Sequence, residues 1–258
     1  MSVKKVLKML SDEEISYRKI IKKSTNYERW AAIEKINDEK TLMGLAENET
    51  SNYNASVAVS KIHNQEFLKK MVLTHDNYMV RSNAVKNIRD DEFLFEIANY
   101  DRSIRASAVS SIRNQKILNH IIDNERFDSL ATANAIKNIA DAEKLLYCAL
   151  KYDEKIRLAA IENPHLKDEE VLIDFAKYDD SPEVRVAALK RLNSQELFID
   201  AAFHDSNGKV TRYAASQLNS KNALRELIKN YYGLGRQRFE EISKMSRYKQ
   251  MQLIRNER

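Results

Sequence analysis

The sequence predicts an all-α fold, a solenoid of about eight stacked two-helix units. Three observations carry this expectation. An alanine recurs at near-constant spacing, a helix-capping side chain follows each one, and the 258 residues include only two prolines and four glycines. Sheets and loop-built sites use Pro and Gly as punctuation, so their scarcity points to helices joined by short polar turns.

The alanine occupies the first half of each unit, at Ala32, Ala58, Ala84, Ala108, Ala135, Ala160, Ala188 and Ala214, with gaps of 24 to 28 residues. A second apolar position follows four residues later: Ile36, Ile62, Ile88, Ile112, Ile139, Pro164, Leu192 and Leu218. An i, i+4 pair lies on one face of a helix, which defines the first helix of the unit. Pro164 departs from the pattern and should end its helix early.

Next comes a capping position, held by Asp38, Asn64, Asp90, Asn114, Asp141, Asp168, Ser194 and Ser220. All are residue types whose side-chain oxygen accepts from an orphaned amide at a helix start. Counted from that cap, positions +4, +7 and +8 are apolar in every unit. The first of them reads Leu42, Leu68, Leu94, Leu118, Leu145, Leu172, Phe198 and Leu224. These positions form one buried stripe on a second helix. Neither helix buries its stripe alone, so the units must stack.

The recurring (V/I)R-x-x-A, seen in VRSNAVKNIRDDEF, IRASAVSSIRNQK and VRVAALKRLNSQE with an aspartate shortly before, resembles HEAT-like repeats. IRLAAIENPHLKDEE is also similar to leucine-rich-variant repeats. The resemblance covers about residues 26–229. It implies a right-handed superhelical α-solenoid of the armadillo type, with repeats of about 26 residues and the second helices on the concave side. It also implies a structural Asp–Arg ladder, here from Asp76, Asp101, Asp153, Asp179 and Asp205 with Arg81, Arg105, Arg157 and Arg185. Ala55, Thr132 and Thr211 should interrupt it. Such repeats are chosen for stacking, so the likeness speaks to fold far more than to function.

Residues 1–25 and 230–258 fall outside the repeat. The first segment reads as an N-terminal cap, with Val6, Leu7, Leu10 and Ile15 as its apolar contacts. The second reads as a basic helix or tail after a break at Tyr231-Tyr232-Gly233-Leu234-Gly235. Net charge is +5, yet residues 1–25 contribute +4 and residues 221–258 contribute +6, leaving the repeat region negative. The sequence pI of 9.0 therefore describes the ends. Residues 236–258 carry seven Lys/Arg against three acids. This tail either lies back along an acidic groove and competes with a partner, or is a capping or solvated segment.

Charged residues make up 31% of the chain and hydrophobic ones 43%, which suits a thin architecture with much surface per buried residue. A single cysteine, Cys148, excludes an intramolecular disulfide and gives no metal-ligand spacing. No apolar run approaches the roughly 20 residues of a membrane span, and the N-terminus lacks the apolar core of an export signal. The expectation is a cytoplasmic protein without membrane contact.

Catalytic constellations are not found. His63, His75, His120, His165 and His204 are too dispersed for local metal binding, and no Gly-rich phosphate loop exists. His75 and His204 share a repeat position with Tyr100, Tyr152 and Tyr178, which suggests a packing role. Cys148 falls in the buried stripe. The chain is therefore expected to be neither an enzyme nor a holder of metal or cofactor. Some HEAT-like-repeat proteins are DNA glycosylases that use tryptophans and an acid in a basic groove. Here the single tryptophan is Trp30, in the first repeat.

In the second helices, positions +2, +6 and +9 point away from the stripe. Position +6 becomes acidic toward the C-terminus, and the candidate binding residues are Tyr147, Glu170, Asp174, Glu196, Asp200 and Glu226. The +2 glutamates are also explained by the helix dipole, whatever they face. Outer positions of the first helices carry Lys35, Lys61, Lys86, Lys137, Lys190 and Arg191, giving a basic opposite face. The reading is a protein-interaction scaffold for a basic or extended protein or peptide. The alternatives are non-specific nucleic-acid binding through the basic ends or lysines, or a glycosylase. A merely solvated acidic face stays open beside them.

Overall fold

The computed structural model describes residues 25–151 and 153–219, which form fifteen α-helices and no strand. The chain divides into two compact units, Met1–Ile139 and Ala140–Arg258. The proposed N-terminal cap and the basic tail, with Ser220, Leu224 and Glu226, lie outside the described residues.

The first unit runs α1 (Asn26–Ile33), α2 (Glu39–Asn48), α3 (Asn52–Ser60), α4 (Gln65–Thr74), α5 (Tyr78–Asn87), α6 (Asp91–Tyr100), α7 (Arg105–Ser111), α8 (Gln115–Asp123) and α9 (Ser129–Asn138). The odd-numbered helices stack on one another in sequence, α1 on α3 through to α7 on α9. Each even-numbered helix packs against the odd-numbered helix that follows it. The second unit runs α10 (Ala142–Ala149), α11 (Glu154–Glu162), α12 (Glu169–Tyr178), α13 (Pro182–Leu192), α14 (Gln195–His204) and α15 (Gly208–Gln217). Here α11, α13 and α15 form the stack, while α10, α12 and α14 each pack on the next helix.

The alanines explain the stack. Ala58, Ala84, Ala108, Ala135, Ala160, Ala188 and Ala214 are wholly buried, and Ala32 is partly so. The distance between packed helices depends on the side chains between them, and a methyl group permits close approach. The predicted stripe is buried as well: Leu42, Leu68, Leu94, Leu118, Leu145, Leu172 and Phe198 are each within the core.

Helix starts follow the predicted caps. Asp38, Asn64, Asp90, Asn114, Asp141, Asp168 and Ser194 each accept from a backbone N–H in the first turn of the helix they precede. Six further caps open the first helices: Ser51, Asn77, Asp128, Asp153, Ser181 and Asn207. Thr25 closes a capping box with Glu28. Helix α11 ends at Glu162, before the exposed Pro164, and Leu166 fills the core there.

The expected Asp–Arg ladder forms at Asp101, Asp179 and Asp205, which pair with Arg81, Arg157 and Arg185. Each arginine reaches forward, to an acid 20 to 23 residues on, while donating to backbone carbonyls of the turn behind it. Arg81 Nε lies 3.0 Å from Asp101, and Arg157 Nε and Nη2 lie 2.8 and 2.9 Å from Asp179. Arg185 holds Asp205 in the same two-pronged way, and Arg105 approaches Asp128 at 3.8 Å. The series also includes Arg29 with Glu49, which the sequence reading missed because a glutamate stands in the aspartate position. Asp153 acts as an N-cap, and Asp76 gives its carbonyl to Arg81.

The basic first-helix face is also corrected in part. Lys61 Nζ caps the end of α1 through the carbonyls of Ile33 (3.1 Å) and Glu34 (2.7 Å). Arg191 Nη1 donates to Ile161 and Asn163 carbonyls, both at 2.6 Å. Asn87 and Asn138, at the same repeat position, cap α3 and α7. Long donors here satisfy carbonyls that a helix C-terminus leaves without partners. Sequence spacing places such a residue on the outer edge and does not reveal that the neighbouring helix ends beneath it.

Candidate binding grooves

In the second unit, the even-numbered helices carry the predicted surface. Tyr147, Glu170, Asp174 and Glu196 are exposed, and Asp200 is half-buried. Glu226 lies outside the described residues. These residues do not converge on one point. Tyr147 holds two cations over its ring, Lys151 at 4.0 Å and Lys144 at 5.6 Å from the centroid. Glu170 and Glu196 sit in first helical turns, away from the grooves described next, where the helix dipole favours them.

Two grooves separate neighbouring even-numbered helices. The first, of 440 Å³, lies between α10 and α12 and is lined by Leu150, Val171, Asp174, Phe175, Tyr178 and Asp180, together with Lys151, whose ammonium lies over the Tyr147 ring. The second, of 340 Å³, lies between α12 and α14 and includes Lys177, Asp200 and His204. Tyr178 lines both. Asp174 is thus in one groove and Asp200 in the other.

The first groove combines apolar and acidic character. Leu150 is 71% exposed and Tyr178 75% exposed, an unusual display of large apolar surface. The carboxylates of Asp174 and Asp180 have no ion pair or hydrogen bond among the described residues. Asp179, at the base, is neutralised by Arg157, whose own pKa is raised by that hydrogen-bonded carboxylate against the opposing effect of burial. The groove therefore has a fixed, paired floor and free acids at its rim. In the second groove Asp200 accepts from His204 Nδ1 at 2.9 Å, and Lys177 adds a cation, so that groove is of mixed charge.

Of the residues expected to pack at the shared Tyr/His position, Tyr100, Tyr178 and His204 are exposed, His75 is half-buried and accepts from Asn77 N at 3.1 Å, and Tyr152 lies outside the described residues. The three exposed residues are the last of α6, α12 and α14. The stripe ends at +8, and these residues stand at +10, so their phase placed them off the core. Cys148 is buried, as the stripe requires. Trp30 is half-buried beside Tyr27, with ring centroids 5.4 Å apart.

Among the described residues no group of three or more His, Cys, Asp or Glu side chains is placed to hold a metal ion, and no helix is long and apolar enough to cross a membrane. No protein-family model matches the chain, and no curated protein matches it significantly.

Proposed function

We propose that the chain is a protein-interaction module built of HEAT-like repeats, and that its second unit receives a basic, partly apolar segment of a partner protein along α10, α12 and α14. The observation that carries this reading is the groove between α10 and α12, where exposed Leu150 and Tyr178 flank the unpaired carboxylates of Asp174 and Asp180. An apolar side chain next to a lysine or arginine matches both features. Interface anchors are commonly aromatic or apolar residues seated in such pockets, with charge at the rim setting orientation and encounter rate.

The repeat assignment is supported by the recurring alanine, cap and arginine positions and by the two helix stacks. The nucleic-acid alternative loses support where Lys61 and Arg191 cap helix ends and Lys190 lies over Tyr213. A single buried cysteine and the lack of a membrane-length helix among the described residues support a cytoplasmic setting.

The test is capture of partners by the wild-type chain and by an Asp174→Lys/Asp180→Lys variant of equal thermal stability. Loss of one dominant protein partner in the variant locates the working groove. Capture of the same partners in the same amounts removes the groove from the account.

A further inference from the structure

The first unit contains a groove of opposite character. It measures 540 Å³ and lies between the end of α6 and the turn that precedes α9. That size falls within the range of about 300–1,000 Å³ typical of ligand pockets. Its floor is aromatic: Phe127 is buried and stacks on Phe95 with ring centroids 6.3 Å apart. Tyr100, 87% exposed, stands at its wall. Arg102 and Arg126 line it and are exposed, and neither side chain has a hydrogen bond or ion pair among the described residues.

Both arginines are displayed from turns held by hydrogen bonds. Asp101 fixes the first turn by accepting from Ser103 N at 2.9 Å while pairing with Arg81. Asn124 fixes the second by accepting from Arg126 N at 3.0 Å, and Arg105 donates to the Arg126 carbonyl at 3.3 Å. Arg105, which also lines the groove and approaches Asp128 at 3.8 Å, lies over the Phe127 ring, 5.5 Å from its centroid, and helps to hold the floor. The backbone that carries the two arginines is thereby fixed. Such pre-organisation lowers the ordering cost of binding.

We propose that this groove binds a short acidic peptide motif in which carboxylates flank an aromatic or large apolar side chain. The apolar side chain rests on Phe95 and Tyr100, and the carboxylates pair with Arg102 and Arg126, whose planar guanidinium groups match carboxylate geometry. A nucleic acid suits the site less well. Its backbone requires a track of cations, whereas the unpaired cations lining this groove are Arg102 and Arg126, enough for a short motif, and Glu96 beside them confines an anion to the arginine side. This site does not depend on the acidic groove of the second unit.

The experiment uses the full chain and fluorescence anisotropy of a labelled, end-blocked Glu-Asp-Trp-Asp-Glu peptide. A Lys-Arg-Trp-Arg-Lys peptide and a single-stranded RNA 12-mer serve as controls. Saturable binding of the acidic peptide is expected. The Arg102→Glu/Arg126→Glu variant should weaken it at least tenfold, and Tyr100→Ser at least threefold, with unchanged circular dichroism and melting temperature. Replacing the peptide's Trp with Ser should weaken binding to the wild-type chain as well. Absence of saturable binding, equal affinity in the double variant, or RNA binding through these arginines without peptide binding would each overturn the proposal.

Discussion

The guanidinium of Arg185 faces both carboxylate oxygens of Asp205, with Nε at 2.8 Å and Nη2 at 2.9 Å, and both side chains are almost fully buried. Arg185 Nη1 also donates to the Asp179 carbonyl at 2.6 Å, and the Asp179 carboxylate in turn accepts from Arg157. One connected network thus ties three successive turns of the second unit. Removing one member of a buried pair leaves the other charge uncompensated, which costs about 3–5 kcal/mol. Arg185→Leu should therefore lower the unfolding free energy by about that amount in urea titration. Arg81→Leu, whose pair with Asp101 is more exposed, should cost about 1 kcal/mol.

Leu145 has no exposed surface and lies in the stripe of α10 against α11. Leu145→Ala should cost about 2–5 kcal/mol, as buried leucine truncations do. A measured cost below about 0.5 kcal/mol would place Leu145 on the surface and break the register on which the helix assignment rests.

Asn138 Nδ2 donates to the carbonyls of Ser110 (2.9 Å) and Ile112 (3.1 Å), closing the end of α7. Asn138→Ala should cost about 1–2 kcal/mol, since carbonyls at a helix end lose their partner. The exposed Lys137 next to it should be replaceable by Ala within about 0.5 kcal/mol. The contrast between the two variants, measured by thermal or urea unfolding, tests the capping role directly.

These effects mark what the sequence made legible. Alternation of apolar positions and capping side chains located the second helices, because both are local consequences of helix geometry. Seven caps from Asp38 to Ser194 sit where the spacing placed them. The partners of Lys61 and Arg191 were not legible, since each contact crosses from one helix pair to the next, and Glu49 was not recognised as the partner of Arg29 because it replaces the usual aspartate. The exposure of Leu150 follows from its +9 position, whereas that of Tyr100 and Tyr178 was missed. These tyrosines stand at +10 from the cap, past the last stripe position at +8, so the helix phase turns them to solvent, and their likeness to one another across repeats is not a sign of packing.

Acid should destabilise the fold through aspartates held below their ordinary pKa. For Asp101, burial raises the pKa, but hydrogen bonds from Ser103 and the Arg81 charge outweigh it and the net direction is down. For Asp90, the hydrogen bonds from Lys69 and the Phe93 amide lower it. A depressed folded-state pKa contributes stability above the unfolded value, which is lost as pH falls through the folded value. Stability from these groups should therefore be constant from pH 7 to about pH 5 and decline below about pH 4, near the ordinary aspartate value. In Arg81→Leu the decline should be shallower, as read from urea unfolding at stepped pH.

The central claim is that the second unit offers an acidic, partly apolar groove to a basic partner. Its most direct test is a salt titration of affinity for a labelled Lys-Leu-Lys-Leu-Lys-Leu peptide, in parallel with duplex DNA, using the wild-type chain and Asp174→Lys/Asp180→Lys. The account predicts peptide binding that weakens moderately with salt, keeps an apolar component at high salt, and falls at least tenfold in the variant. DNA affinity that exceeds peptide affinity, drops steeply with the logarithm of salt and is indifferent to the two substitutions would contradict it.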